Sequence, residues 1–168
     1  MTENSTVAQL LSNYASILDE LRDRQIVRSA NNPLSDYAEL LFCNAYGWER
    51  EGNSASGHDA IDTSGARYQI KARRITPHNR LRQLSAIRNL DKRPFDFLAG
   101  LLVDQKFKII RAALIPISVI DEHSSHVAHT NSWRFLLRDN VWQMDGVVDV
   151  SDKLRAAARE LDGRCEVN

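Results

Sequence analysis

The chain has 168 residues, 43% hydrophobic and 26% charged, with 22 Lys/Arg balanced by 22 Asp/Glu. That size supports one self-sufficient core, and the composition excludes a disordered or fibrous chain. No apolar run reaches the roughly 20 residues of a membrane span, so no membrane partner is expected.

Residues 1–5 are polar and carry no secretory pattern. Val7, Leu10, Leu11, Tyr14, Ile17, Leu18 and Leu21 then recur at helical spacing. Ser5 or Thr6 can cap this helix, and Arg22 and Arg24 suit its C-terminal end. Asn31, Asn32 and Pro33 break the pattern. Ser35 can cap a second helix that runs to about Tyr46, with Gly47 in the position just past its end. Residues 48–51 suit a short strand, and the small polar residues 52–57 a loop. Strands follow over 58–63 and 67–73, around Ser64 and Gly65. After a break at 76–79, Leu81, Leu84, Ile87 and Leu90 suggest a short helix. Two apolar strands over 95–103 and 107–115 flank Asp104-Gln105-Lys106, and Pro116 ends the second. Residues 117–122 suit one helical turn, and 123–132 a polar loop with three histidines. Strand pieces at 133–137 and 147–150 lead to Ser151, which caps a last helix through Leu161, with Gly163 following. This order predicts an α/β or α+β layer fold around a mixed sheet. Cys43 and Cys165 lie far apart and read as free thiols of a reducing cytosol, so the location expected is cytoplasmic.

Charge is uneven along the chain. Residues 1–70 hold 5 Lys/Arg and 10 Asp/Glu, residues 71–93 hold 8 and 1, and residues 94–168 hold 9 and 11. The whole basic excess therefore follows the predicted hairpin. Arg73, Arg74, Arg80, Arg82 and Arg88 are natural phosphate contacts, so nucleic acid is an expected partner. Five such contacts on duplex DNA would give a log–log salt slope of about −4 to −5.

The hairpin concentrates the chemistry. Asp59 offers a carboxylate, Gln69 a neutral oxygen, and the Ile70 carbonyl a third hard donor, a set that suits Mg²⁺. Lys71 stands two residues past Gln69 on the same strand face, where its ammonium could orient water or stabilise charge on a phosphate. Glu39 can approach from the preceding helix. A two-residue turn at 64–65 pairs Ala60 with Gln69 and puts Asp62 on the lysine face. A three-residue turn at 64–66 pairs Asp59 with Lys71 instead. His123, His126 and His129 lack the fourth ligand that zinc needs, and Trp133 and Trp142 suit core packing better than base stacking.

A helix with Ala38-Glu39, then Gly57-His58-Asp59, then a hairpin into Gln69-Ile70-Lys71, resembles the PD-(D/E)xK nuclease superfamily, the restriction-endonuclease-like fold, and most closely its Mrr-like QxK branch. The chain is also similar to a group of uncharacterised bacterial proteins, through stretches such as residues 82–90 and 131–133. The superfamily resemblance covers about 35–115, the narrower one about 10–160. It implies one domain over 1–168: an N-terminal helix within 1–30, a nuclease-like core over 35–115, and C-terminal strands and helix over 116–168. It further implies a metal-dependent DNA endonuclease of restriction, defence or repair type, with Mg²⁺ or Mn²⁺ held by Asp59, Gln69, Glu39 and the Ile70 carbonyl. Lys71 is its lysine, and Asp62 is a reserve ligand. That assignment favours the three-residue turn or a bulge near Ala60. Two positions depart from the family pattern: His58 replaces a proline, and Gln69 replaces an acid, as in Mrr-like members. A homodimer is compatible with the resemblance. The alternatives are a catalytically degenerate nucleic-acid-binding module and an interaction subunit of a larger defence or repair system.

Overall fold

The structure is a computed structural model that describes residues 5–29, 31–52 and 57–165, without the side chains of Arg164 and Cys165. The expected loop over 52–57 lies mostly outside those residues, as do residues 1–4 and the Cys165 side chain.

Helix α1 (Val7–Asp23) starts at a capping box: Thr6 takes the Gln9 N–H, and the Gln9 side chain takes the Thr6 N–H. Helix α2 (Leu34–Tyr46) ends at Gly47, left-handed at φ 68°, as its sequence position requires. Ser35 does not cap it. The Asn32 side chain accepts the Leu34 N–H instead, because the break at Pro33 starts the helix at Leu34, two residues before a helix capped by Ser35 would begin.

A six-stranded sheet runs in the order β1 (Glu49–Arg50), β2 (Ala60–Ile61), β3 (Arg67–Arg74), β5 (Phe97–Val103), β6 (Ile109–Pro116), β9 (Val148–Asp149). Only β3 and β5 pair in parallel. A parallel pair needs a crossover, and residues 75–96 supply it. That segment carries β4 (Ile87–Arg88), which joins β8 (Ser132–Arg134) and β7 (Ser125–Val127) in a second sheet. Helix α3 (Ile117–His123) follows β6 directly, and α4 (Ser151–Cys165) closes the chain. The fold is therefore mixed α+β. No helix among the described residues is long and apolar enough to cross a membrane.

Two cores flank the main sheet. Leu41 and Phe42 of α2 and Leu154 of α4 pack with Tyr68, Ile70 and Leu101 on one face. Leu84, Ile87, Phe95, Phe135 and Leu137 pack with Leu98, Leu102 and Ile115 on the other. Each fully buried Leu, Ile or Phe contributes about 1.5–3 kcal/mol. Strand β5 is apolar throughout because both of its faces are covered.

Three expected elements change. The short helix over 81–90 does not form. Gln83 bridges Leu136, and Ile87–Arg88 pairs with β8, so Leu84 and Ile87 reach the core from extended backbone. The polar loop over 123–132 contains β7, with His126 against Trp133 at a ring separation of 4.8 Å. Helix α4 continues past Leu161 and through Gly163. The Ser151 hydroxyl accepts the Ala112 N–H of β6 at 2.9 Å rather than capping α4. Trp142 is buried, and its indole N–H donates to the Ala112 carbonyl.

Candidate active site

The hairpin turn decides where each acid points. Gly65 N–H donates to the Asp62 carbonyl, and Asp62 N–H to the Ala66 carbonyl. The turn is thus residues 63–65, starting one residue before either expected turn, and Gly65 takes φ 87°. Ala60 stands opposite Tyr68, and Asp59 also donates its N–H to the Tyr68 carbonyl. Two residues of one strand facing one of the next is a bulge, at the position where the resemblance allowed one. Asp59 does not pair with Lys71, and Ala60 does not pair with Gln69.

Asp62 is taken up by the turn. Its carboxylate accepts the Ser64 hydroxyl, the N–H groups of Ser64 and Ala66, and the Tyr68 hydroxyl. The Ser64 hydroxyl leads these in holding its pKa down to about 2. Since Tyr68 faces α2, Asp62 points away from the lysine face and does not serve as a reserve ligand. Sequence spacing alone could not distinguish an Asx turn from a ligand here.

Asp59 sits where β2 separates from β3. Its Oδ2 accepts the Ile70 N–H at 2.7 Å. A strand residue presents its N–H and C=O on the same edge, so the Ile70 carbonyl faces the same gap. Asp59 Oδ1 has no hydrogen-bond partner among the described residues. Nor does the Gln69 side chain, which stands with Lys71 on the face away from Tyr68 and Ile70.

Lys71 lies beside Gly100 of β5. A Cβ on Gly100 would meet Leu137 at 2.8 Å, so the covering layer comes close to the sheet next to this lysine. The Lys71 ammonium has neither an ion-pair nor a hydrogen-bond partner among the described residues. Burial pushes its pKa down, the Asp59 charge pulls it back up, Arg88 lowers it further, and Glu39 raises it. Asp59, Glu39, Arg88 and Lys71 therefore share one electrostatic neighbourhood, although Glu39 and Lys71 approach it over opposite faces of the sheet.

Glu39 is not free. Its Oε2 accepts Arg28 at 2.5 Å and Arg50 at 2.8 Å. Arg50 Nε is buried with no hydrogen-bond partner among the described residues. Neither arginine was singled out by sequence. Each lies 11 residues from Glu39, a separation with no helical or strand signature, so the only clue was that a part-buried acid needs a counter-charge. Cys43, one helical turn beyond Glu39, is a buried thiol. Burial pushes its pKa up to about 11, against the pull of Arg50, so it is an inert neighbour rather than a nucleophile.

Asp36 fixes the segment carrying Arg28. Its buried carboxylate accepts the N–H groups of Arg28 and Ser29 and the Ser29 hydroxyl at 2.9–3.1 Å. Burial works to raise its pKa, but these donors outweigh it and hold the group below the ordinary carboxylate range. A folded-state pKa below the unfolded one gives stabilisation that is complete above the unfolded value and lost as pH falls through the folded value. Asp36→Ala is expected to cost about 2–3 kcal/mol, the worth of hydrogen bonds to a charged group. In thermal melts run from neutral pH to pH 3, the gap between parent and variant should narrow as the pH falls. A gap that stays constant would reject this role for the carboxylate.

The basic stripe divides. Arg82 pairs with Asp139 at 2.6 Å. Arg74 donates to the Gln105 carbonyl and lies over Phe107, 4.6 Å from the ring centre. Strand alternation sends Arg74 to the face opposite Arg73. Among the described residues Arg73 donates only its Nε, to the Leu81 carbonyl, while Arg80 and Arg88 are exposed.

Mg²⁺ and Mn²⁺ take hard oxygen ligands and bind with few protein carboxylates. Asp59 Oδ1, the Gln69 amide oxygen and the Ile70 carbonyl fit that donor chemistry. Among the described residues, no three His, Cys, Asp or Glu side chains form a cation-binding group. The two carboxylates, Glu39 and Asp59, are outnumbered by Arg28, Arg50, Lys71 and Arg88. The site therefore attracts an anion first and a cation only alongside one. No model of a known protein family and no curated protein matches the chain.

Proposed function

We propose that the chain is a divalent-metal-dependent phosphodiester hydrolase acting on DNA in the cytoplasm, a restriction-endonuclease-like enzyme with the QxK variant of the PD-(D/E)xK site. The observation that carries this reading is the Asp59 carboxylate bound to the Ile70 N–H immediately before a desolvated Lys71 ammonium that has no partner among the described residues. Asp59, Gln69 and the Ile70 carbonyl would hold Mg²⁺ or Mn²⁺. Such an ion supplies Lewis-acid polarisation of the phosphoryl oxygen and a water of lowered pKa. Lys71 stabilises the charge that builds on the phosphate. Arg88, exposed and in the electrostatic neighbourhood of Lys71, adds a donor for a phosphate oxygen, and Glu39 keeps Arg28 and Arg50 in position. The scissile phosphate contributes the negative charge that this net-positive cluster lacks, so the ion binds best together with the nucleic acid.

The test is calorimetric titration with Mn²⁺ on the parent and on Asp59→Asn, with and without duplex DNA, alongside nicking of supercoiled plasmid. The parent should bind Mn²⁺ more tightly with DNA present, and Asp59→Asn should lose both that binding and the nicking. Equal Mn²⁺ binding and equal nicking by parent and Asp59→Asn would reject the site.

The second reading is a nucleic-acid-binding module without cleavage, and the two-arginine hold on Glu39 favours it. Both readings predict salt-sensitive DNA binding. With Arg74 and Arg82 engaged inside the protein, three contacts remain, from Arg73, Arg80 and Arg88. The expected log–log salt slope is about −3 instead of the −4 to −5 inferred from five.

A further inference from the structure

Helix α1 carries a stripe that the rest of the protein does not cover. Val7, Leu10, Leu11, Tyr14 and Ile17 are each 44–74% exposed, and residues 6–17 are exposed on every side of the helix. Only Leu18 is buried. A helix of about twelve residues is marginal in water without tertiary packing, so this element needs a partner. Beside its C-terminal half lies an apolar cavity of about 880 Å³, lined by Ile17, Leu21, Pro33, Tyr37, Phe107 and Leu161 among others. Tyr14 also lines it, but Val7, Leu10 and Leu11 of the first turns do not.

We propose that this stripe is the dimer interface of the chain, with two α1 helices crossing antiparallel about a two-fold axis near Tyr14. The heptad-like spacing then sets Val7 against the partner's Leu21, Leu11 against the partner's Ile17, and Tyr14 against the partner's Tyr14. Each N-terminal half enters the other copy's cavity, so one pairing is made twice, as an isologous interface requires.

Charge favours this occupant and this direction. Residues 5–18 contain no charged side chain, whereas Asp19, Glu20, Arg22, Asp23 and Arg24 crowd the C-terminal end. Antiparallel packing sets the uncharged half of each helix against the partner's charged end, beside a cavity that Arg24, Arg74 and Asp162 also line, and brings three acids, against Arg22 and Arg24, beside the partner's positive helix N-terminus. Parallel packing would set the two charged ends against each other. Area agrees as well: the five exposed side chains offer roughly 500 Å² per copy, so about 1,000 Å² for the pair before the cavity walls are added, which reaches the size of a specific interface. The proposal stands whether or not the chain cuts DNA.

Sedimentation equilibrium of the full chain over a concentration series tests it. The parent should have twice the chain mass, and Leu11→Glu should weaken dimerisation by at least about 100-fold, because symmetry places the charge in the interface twice. Ser16→Glu, on the opposite side of the helix, should leave the dimer intact. Since Leu11 is 64% exposed, the thermal transition of the sheet domain in Leu11→Glu serves as the folding control. A parent that stays monomeric, or a Leu11→Glu variant that dimerises like the parent, overturns the proposal. A parent whose stripe takes up an apolar small molecule while the protein stays monomeric overturns it too.

Discussion

Lys71→Met is expected to slow Mn²⁺- or Mg²⁺-dependent nicking by about 10²–10³-fold, the usual effect of removing one donor that meets transition-state charge. It should not lower stability. The ammonium is desolvated, faces the like charge of Arg88, and has its pKa pushed down by burial. A lysine whose folded-state pKa lies below its unfolded one is a net penalty at neutral pH, and that penalty is relieved as pH rises through the folded value. Methionine keeps the stem volume and removes the penalty, so the thermal midpoint should hold or rise. On the proposed reading the working form is the ammonium, so the parent's rate should fall on the alkaline side, starting below the ordinary lysine range. Nicking by Lys71→Met at the parent's rate, in preparations free of contaminating nuclease, would remove Lys71 from the mechanism. A rate that climbs through the same alkaline range would instead make it a base.

The second large effect is structural. Glu39→Gln leaves Arg28 and Arg50 without their shared counter-charge. Breaking such a pair strands a desolvated cation. Glu39 is 15% exposed and Arg50 18%, so the expected loss is about 2–3 kcal/mol, at or just below the usual range for buried pairs. For a chain of this size that lowers the thermal midpoint by about 5–10 °C. Arg50→Gln should cost only about 1 kcal/mol, because Arg28 still holds the acid. It should also tighten Mn²⁺ binding to the DNA-free protein, since one of the four opposing cations is gone. Unchanged or weaker Mn²⁺ binding in Arg50→Gln would show that the arginine pair does not oppose the metal. A Glu39→Gln variant as stable as the parent would mean that the ion pairs contribute nothing.

Much of the frame was legible from side-chain periodicity. Strands β3, β5 and β6, helices α1 and α2, and the left-handed Gly47 follow from patterns that repeat within one element, where local sterics and burial decide. The helix expected over 81–90 failed for the reason such readings usually fail. Leu84 and Ile87 fit a helical spacing, but Leu84 donates its N–H to the Phe135 carbonyl, Ile87 pairs with β8, and both are buried. Likewise, Ser35 and Ser151 look like caps in sequence, yet α2 begins at Leu34 with Pro33 in the cap position and Asn32 accepting the Leu34 N–H, and the Ala112 N–H claims the Ser151 hydroxyl.

The candidate site shows the same division. Asp59, Gln69 and Lys71 could be named from sequence because they lie within thirteen positions on two strands joined by one turn. The sequence left the register open, and the turn settled on residues 63–65 because Gly65 tolerates a positive φ that Ser64 or Ala66 would resist. That choice committed Asp62 to its own loop and placed Asp59 at a bulge. The hold of Arg28 and Arg50 on Glu39, the division of the basic stripe by Asp139, Gln105 and Phe107, and the exposure of the α1 stripe were decided by tertiary structure alone. Composition and spacing determine which groups a chain possesses and which face of an element each occupies. Whether a charge is free or neutralised, and whether an apolar face is covered, depends on groups far away in sequence that only folding brings within reach.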